Sequence, residues 1–127
     1  MLRYNKGARS ERELLNYLHE RKFSVIRSAG SGVNSLSPDI LAFKNGKGFA
    51  FECKAWNRTS VAIEIEKIES MMEWESNTGM DTYVAWKMNN MGWFFIKLAE
   101  MSKATANYTI TKSIALKINR RMEIFEF

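Results

Sequence analysis

Two carboxylates and a lysine lie among apolar residues in the segment SPDILAFKNGKGFAFECKAW, residues 37–56. Its Asn-Gly pair at positions 45–46 predicts a β-hairpin with a two-residue type I′ turn. Counting outward from that turn places Asp39 opposite Glu52, and Lys54 follows two residues later on the same face. A four-residue loop would instead pair Asp39 with Lys54 and still leave Glu52 on that face. A three-residue loop would break this alignment unless a bulge restored it. With the other two loop lengths, all three groups are expected at one end of the hairpin.

These residue types suit metal-assisted phosphodiester hydrolysis. Two carboxylates about 5 Å apart at a partly buried sheet end repel each other, and a divalent cation relieves the repulsion. Oxygen ligands favour Mg²⁺, with Mn²⁺ as a substitute. A lysine beside the metal orients a water or stabilises the charge of a phosphorane. The alternative is a purely structural cluster of Asp39, Glu52 and Lys54 at a sheet edge, and the hairpin alone favours that alternative.

A third carboxylate supports the metal site. Glu11 shares the helical stripe formed by Ala8, Leu14, Leu15 and Leu18, so it is predicted to point inward. An inward glutamate is rarely unpaired. Glu11, Asp39 and Glu52 are therefore predicted to hold a metal.

Hydrophobic patterning predicts an α/β domain. Helical spacing indicates a first helix in residues 7–23, with Ser10 and Glu13 as a capping box or Asn5 as the N-cap. A second helix is expected in residues 60–79, with Gly79 as its stop. The remaining expected elements are strands at 23–29, 39–44, 47–54, 81–88, 93–98 and 107–111, and a short helix at 112–121. This order favours a mixed sheet of about five strands flanked by helices.

Length and composition limit the class of protein. A chain of 127 residues, 46% of them hydrophobic, fits a single domain with its own core, residues 1–127. The lone Cys53 is expected to be a reduced core residue. No apolar run is long enough for a membrane span and the N-terminus resembles no signal peptide, so a cytoplasmic protein without membrane contact is expected. The charge of +5 favours a polyanionic partner. Basic residues crowd the first quarter of the chain: Arg3, Lys6, Arg9, Arg12, Arg21, Lys22 and Arg27.

Five stretches of the chain closely resemble the archaeal-type Holliday junction resolvases, in content and order: KGARSERELL, VIRSAGS, PDILAFKNG, FECK and VAWKMNNMGWFFI. Pro38-Asp39 followed by Glu52-Cys53-Lys54 also matches the PD-(D/E)XK nuclease pattern. The resemblance covers Arg3 to Leu98, and the tail from Ala99 shows no clear counterpart. It implies a restriction-endonuclease-like fold, a homodimer, and symmetrical Mg²⁺-dependent cleavage of four-way DNA junctions.

Carried over by motif, the resemblance assigns the catalytic roles to Glu11, Asp39, Glu52 and Lys54. Together with the basic N-terminal cluster, it indicates a DNA-binding set of Lys6, Arg9, Arg12, Arg27, Ser31 and Lys87. Two alternatives stay open: another nuclease of this superfamily that acts on duplex ends or nicks, and a non-catalytic protein that binds junctions. A homodimer is expected to use an apolar patch on the second helix and last hairpin, drawn from Met71, Met72, Trp74, Trp86, Met88, Met91 and Trp93.

Overall fold

The computed structural model describes the backbone of residues 2–28 and 37–125 and the side chains of residues 9–28 and 37–123. The helices are α1 (Leu2–Glu20), α2 (Ile65–Thr78) and α3 (Lys112–Ile118). The strands are β1 (Ser24–Arg27), β2 (Ile40–Lys44), β3 (Lys47–Ala55), β4 (Ser60–Glu64), β5 (Asp81–Met88), β6 (Gly92–Lys97), β7 (Ser102–Lys103) and β8 (Asn107–Thr111). Short 3₁₀ turns cover Leu98–Glu100 and Met122–Phe125.

The main sheet has five strands in the order β1-β2-β3-β5-β6. Strands β3 and β5 are parallel and the other neighbours are antiparallel, so the predicted mixed α/β sheet is confirmed. The predicted hairpin register is confirmed as well, because Lys44 pairs with Lys47 and Ile40 with Phe51. Asn45 and Gly46 have φ values of 53° and 80°, as a type I′ turn requires.

Helices pack on both faces of this sheet because successive apolar residues of its strands point to opposite faces. On one face, Leu14 and Leu18 of α1 pack against Phe51 and Phe95. The opposite face is covered by α2 together with a second, smaller sheet, and Trp86 is fully buried there. Covering both faces explains why the hairpin strands read as nearly continuous apolar runs.

The second sheet corrects the prediction of a helix beginning at Ser60. Residues Ser60–Glu64 form β4, which pairs with β8 in a three-stranded sheet of order β4-β8-β7. Val61 and Ile63 are buried on one side of that strand, and β-branched residues in alternation favour a strand. The helix begins at Ile65 and ends before Gly79, whose φ of 72° confirms the predicted stop.

The N-terminal helix begins earlier than its predicted capping box. Helix α1 runs from Leu2, and Ser10 is a buried residue inside it. The segment before Ser10 contains no proline to stop the helix. Ser10 and Glu13 are therefore interior helix positions, and the capping-box prediction was wrong.

The predicted apolar dimer patch is mostly core. Met71, Trp86, Met88 and Trp93 are each at most 8% exposed, because the second sheet and the 3₁₀ turns cover them. Met91 is 39% exposed, so it is the member of the predicted set that faces solvent most clearly. Across the described residues, no helix has the length and apolar character needed to cross a membrane.

Candidate active site

Asp39 is fixed at the end of the hairpin by backbone groups of its two neighbouring strands. It precedes β2, and its Oδ2 accepts a hydrogen bond of 2.9 Å from the Cys53 N–H of β3. Its carbonyl oxygen accepts a second bond, of 2.8 Å, from the Ser28 N–H just after β1. The β2–β3 pairing ends with Ile40 opposite Phe51. Asp39 and Glu52 are the next residues beyond that pair, so they lie side by side, as predicted.

Glu52 is a buried acid on the α2 side of β3. It is 7% exposed, and among the described residues its Oε1 has no hydrogen-bond partner. Burial, and then the nearby charge of Asp39, raise the pKa of Glu52 to about 7. The ammonium groups of Lys67 and Lys54 oppose that rise. A carboxylate in this position gains strongly from an added cation.

Two lysines, one on β3 and one on α2, lie near Glu52. Lys54 is two residues beyond Glu52 on β3, and its Nζ is 5.9 Å from the centre of the Trp56 ring. Lys67, in the first turn of α2, has its Nζ 3.4 Å from Glu52 Oε1 and donates a 2.9 Å hydrogen bond to the Ser37 carbonyl. Lys67 was not predicted as a site residue. Residues 60–64 were expected to be helical, so the way α2 packs on the sheet could not be inferred.

Glu11 forms an ion pair with Arg27. Its Oε1 accepts a 2.7 Å hydrogen bond from Arg27 Nε, which ties α1 to the end of β1. Helix α1, which carries Glu11, packs on the face of the sheet to which Cys53 belongs, and burial raises the pKa of the Cys53 thiol. The Glu11 side chain is 22% exposed and paired with Arg27, and its predicted metal role stays a prediction.

The acid pair nevertheless fits a hard divalent cation. Within the described ranges, no three His, Cys, Asp or Glu side chains are grouped as a metal site. Mg²⁺ often uses only one or two protein carboxylates and takes its other ligands from water and substrate phosphate. Asp39 and Glu52 supply two carboxylates, and one oxygen of Glu52 is buried without a hydrogen bond.

Three of the predicted DNA-binding residues lie on the middle of α1 or against it. Arg9 and Arg12 are exposed on that helix, and Lys87 of β5 forms an ion pair with Glu13. The side chain of Lys6 and the whole of Ser31 lie outside the described residues, so their predicted roles stay predictions.

A cleft beside these residues was not predicted. It has a volume of about 160 Å³ and lies between α1 and the ends of β3 and β5. Arg9, Trp56 and Lys87 line it, and Arg58 stands 4.9 Å from the centre of the Trp56 ring. Sequence alone could not place Trp56 next to α1, because only the fold brings the end of β3 to that helix.

Comparison with known proteins shows that this chain is similar to DNA endonucleases. The structure matches that of Archaeoglobus fulgidus Hjc, a Holliday junction resolvase from an archaeal hyperthermophile, with a TM-score of 0.83 and 26% identity over 96% of this chain and 98% of that one. The crossover junction endodeoxyribonuclease Hjc of Methanocaldococcus jannaschii is 37% identical over 113 residues, which are 88% of this chain and 80% of that protein. The Archaeoglobus fulgidus enzyme of the same name is 31% identical over 111 residues, or 87% and 82%.

The family follows from a match along nearly the whole chain. The model of the archaeal Holliday junction resolvase (Hjc) family matches residues 2–126. The chain belongs to this family, and the resemblance found in its motifs is confirmed. The match also includes the tail from Ala99, which the motifs alone had left without a counterpart.

Proposed function

We propose that this protein is an endonuclease that resolves four-way DNA junctions by paired, symmetrical hydrolysis of phosphodiester bonds. One observation supports the chemistry most strongly: Glu52 is buried beside Asp39, with Lys54 on the same face, at the end of the hairpin away from its turn. Family membership supports the choice of substrate. A protein that only binds junctions has no need of a buried acid whose pKa is raised to about 7.

We propose that Asp39 and Glu52 hold Mg²⁺, with Mn²⁺ as a substitute. When bound, the metal supplies a polarised phosphate oxygen and a more acidic water. The Cys53 N–H holds Asp39 in place for this role. Glu11 contacts Arg27 through Oε1, and its predicted metal role stays a prediction.

Lys54 is proposed to act on the reacting phosphate. Its ammonium is near enough to Glu52 to lower the pKa of that acid, and its aliphatic stem is held on a strand of the central sheet. A cation in this position stabilises negative charge that develops on the phosphate oxygens. It therefore contributes to the rate of hydrolysis more than to DNA affinity.

DNA is proposed to bind along the N-terminal half of α1 and the end of β1. Arg9 and Arg12 present exposed guanidinium groups there, and 41% of the Arg27 side chain is exposed although it is paired with Glu11. Contacts of this kind with phosphates position the duplex arms and depend on salt. Lys6, Ser31 and Lys87 are kept in the proposed set.

A two-fold homodimer is proposed because one domain with one acid pair cuts one strand at a time. Two equivalent sites related by a two-fold axis match the symmetry of a four-way junction, and closed dimers are the commonest oligomers. Sedimentation equilibrium at micromolar protein should give twice the chain mass of 14.7 kDa. A monomer that still makes paired cuts would contradict the dimer.

The substrate is tested by a direct comparison. A synthetic four-way junction and a linear duplex of matched sequence are incubated with the protein in Mg²⁺ and in EDTA. Cleavage of the junction alone, and only with Mg²⁺, is expected. Equal cleavage of both substrates would favour a nuclease for ends or nicks, and junction binding without cleavage in any metal would favour a binding protein.

A further inference from the structure

We propose that Lys67 is an internal cation that balances the acid pair in the metal-free protein, so that a divalent metal must compete with it at Glu52. This inference rests on the proposed metal site of Asp39 and Glu52. It assigns to α2 a role in setting the metal concentration at which the enzyme works.

The position of Lys67 relative to Glu52 is the first argument. Its Nζ lies 3.4 Å from Glu52 Oε1, an oxygen that is buried and accepts no hydrogen bond within the described part of the chain. The two side chains are only 13% and 9% exposed, so water screens their attraction weakly. The ammonium is thus the cation that the structure places against this buried oxygen.

The attachment of Lys67 is the second argument. Its Nζ donates to the Ser37 carbonyl at 2.9 Å, two residues before Asp39 in the chain. The same ammonium therefore contacts both the acid of β3 and the backbone that leads into the second acid. It is held at the site by a bond that does not depend on the Glu52 charge.

The charge of the site is the third argument. Asp39 and Glu52 contribute two negative charges when both are ionised, and Lys54 contributes one positive charge. Lys67 adds a second positive charge and makes this group of four neutral. A neutral site attracts a divalent cation less strongly than a site with net negative charge. Removal of the Lys67 charge should therefore strengthen metal binding, whereas removal of a purely structural residue should weaken it.

The test measures metal binding in the absence of DNA. Mn²⁺ is titrated by calorimetry into wild type and variants at a pH above the pKa of Glu52. Lys67→Gln keeps an N–H donor for the Ser37 carbonyl but carries no charge, and Lys67→Arg keeps the charge. Lys103→Gln is the matched control. Lys103 lies on β7, is 55% exposed, and pairs with Glu69 of α2, the helix that carries Lys67.

Lys67→Gln is expected to bind Mn²⁺ about tenfold more tightly than wild type, with Lys67→Arg and Lys103→Gln no tighter than wild type. Unchanged or weaker binding by Lys67→Gln would overturn the inference. Equal tightening by Lys103→Gln would also overturn it, because the effect would then belong to net charge. A wild type that cuts junctions and binds Mn²⁺, with no tightening in Lys67→Gln, refutes this inference alone. A wild type that binds no metal refutes the proposed metal site itself.

A measurement on the unmodified chain covers the case in which Lys67→Gln does not fold. The rate at which an amine-acylating reagent modifies Lys67 is followed by mass spectrometry, with and without Mn²⁺. Metal binding is expected to release the ammonium from Glu52 and raise that rate severalfold relative to Lys103. A rate that is unchanged or lowered by Mn²⁺ would contradict the competition.

Discussion

At the scale of single residues, catalysis is assigned to groups that hold the metal and the reacting phosphate rather than the DNA arms. Glu52→Gln removes a negative charge from the acid pair, and Lys54→Ala removes the cation on the same face. Each should lower single-turnover cleavage of a four-way junction by at least about a hundredfold. Junction affinity in a gel-shift assay should change little. Full cleavage by Lys54→Ala would remove that residue from the active site.

Glu52 also predicts how stability depends on pH in the metal-free protein. Its folded pKa is about 7 against an ordinary value of 4.5, so between these values the folded state binds more protons than the unfolded state. The free energy of unfolding should therefore fall as pH rises through this window, by up to about 3 kcal/mol. Below pH 4.5 both states are protonated at this group and the contribution is flat.

Urea denaturation from about pH 4.5 to 8 measures this effect, with Glu52→Gln as the control. The difference in stability between variant and wild type should widen in favour of the variant as pH rises. Addition of Mg²⁺ should remove most of the loss in wild type, because the metal stabilises the ionised carboxylate. A constant difference across the range would mean that Glu52 is not desolvated as described.

The acid pair was predictable from sequence because a turn fixes a register. The Asn-Gly turn at 45–46 sets every pairing of the hairpin, so the proximity of Asp39 to Glu52 follows by counting. Glu11 was not predictable in this way. Its helical stripe gave the correct face of α1, but the ion pair with Arg27 depends on where β1 ends relative to that helix. The same limit applies to Lys67, whose position depends on tertiary packing.

At the scale of elements, the hairpin turn is a separate determinant of stability. Gly46 has a φ of 80°, and a Cβ added there meets no atom within 4 Å. Any cost of Gly46→Ala therefore comes from backbone conformation, and about 1 kcal/mol of stability should be lost. Gly46→Asn should lose less, since Asn tolerates the left-handed region. Chemical denaturation of both variants tests this ordering, and an unchanged Gly46→Ala would contradict it.

Helix α1 and the end of β1 are proposed as the DNA-binding elements, and Arg27 joins them. Arg27→Ala should weaken junction binding and reduce the slope of log K against log salt by about one. The control is Lys47→Ala, which removes a positive charge beside the turn at the opposite end of the hairpin from Asp39. Binding at a series of salt concentrations gives both slopes. The same slope in wild type and Arg27→Ala would exclude Arg27 from the phosphate contacts.

Elements with a strong local signal were predicted and those that depend on tertiary pairing were not. The hairpin, the β5–β6 pair and the Gly79 stop follow from turn and capping residues. Strand β4 was mistaken for helix because a short apolar run next to a true helix fits both the helical and the strand periodicity. Its partner β8 lies more than 40 residues away in sequence, so only the fold shows that Ser60–Glu64 is extended. This missing sheet also explains why core residues were mistaken for a dimer patch.

At the scale of the whole molecule, the central sheet and helix α1 contribute different parts of the proposed enzyme. A mixed five-stranded sheet positions Asp39, Glu52 and Lys54 at one end of a hairpin, and α1 presents exposed arginines nearby. The chain's membership of the Hjc family gives this arrangement a four-way junction as its proposed substrate. The proposed dimer supplies the second site that paired incisions require.

The most direct test of the central claim follows both incisions on one substrate. A four-way junction carrying a different label on each strand is cut by wild type and by Glu52→Gln under single-turnover conditions with Mg²⁺. Wild type is expected to nick two strands of like polarity at symmetrical positions and to yield two duplexes, while Glu52→Gln binds the junction and leaves every strand intact. Paired cleavage at the wild-type rate by Glu52→Gln would contradict the account.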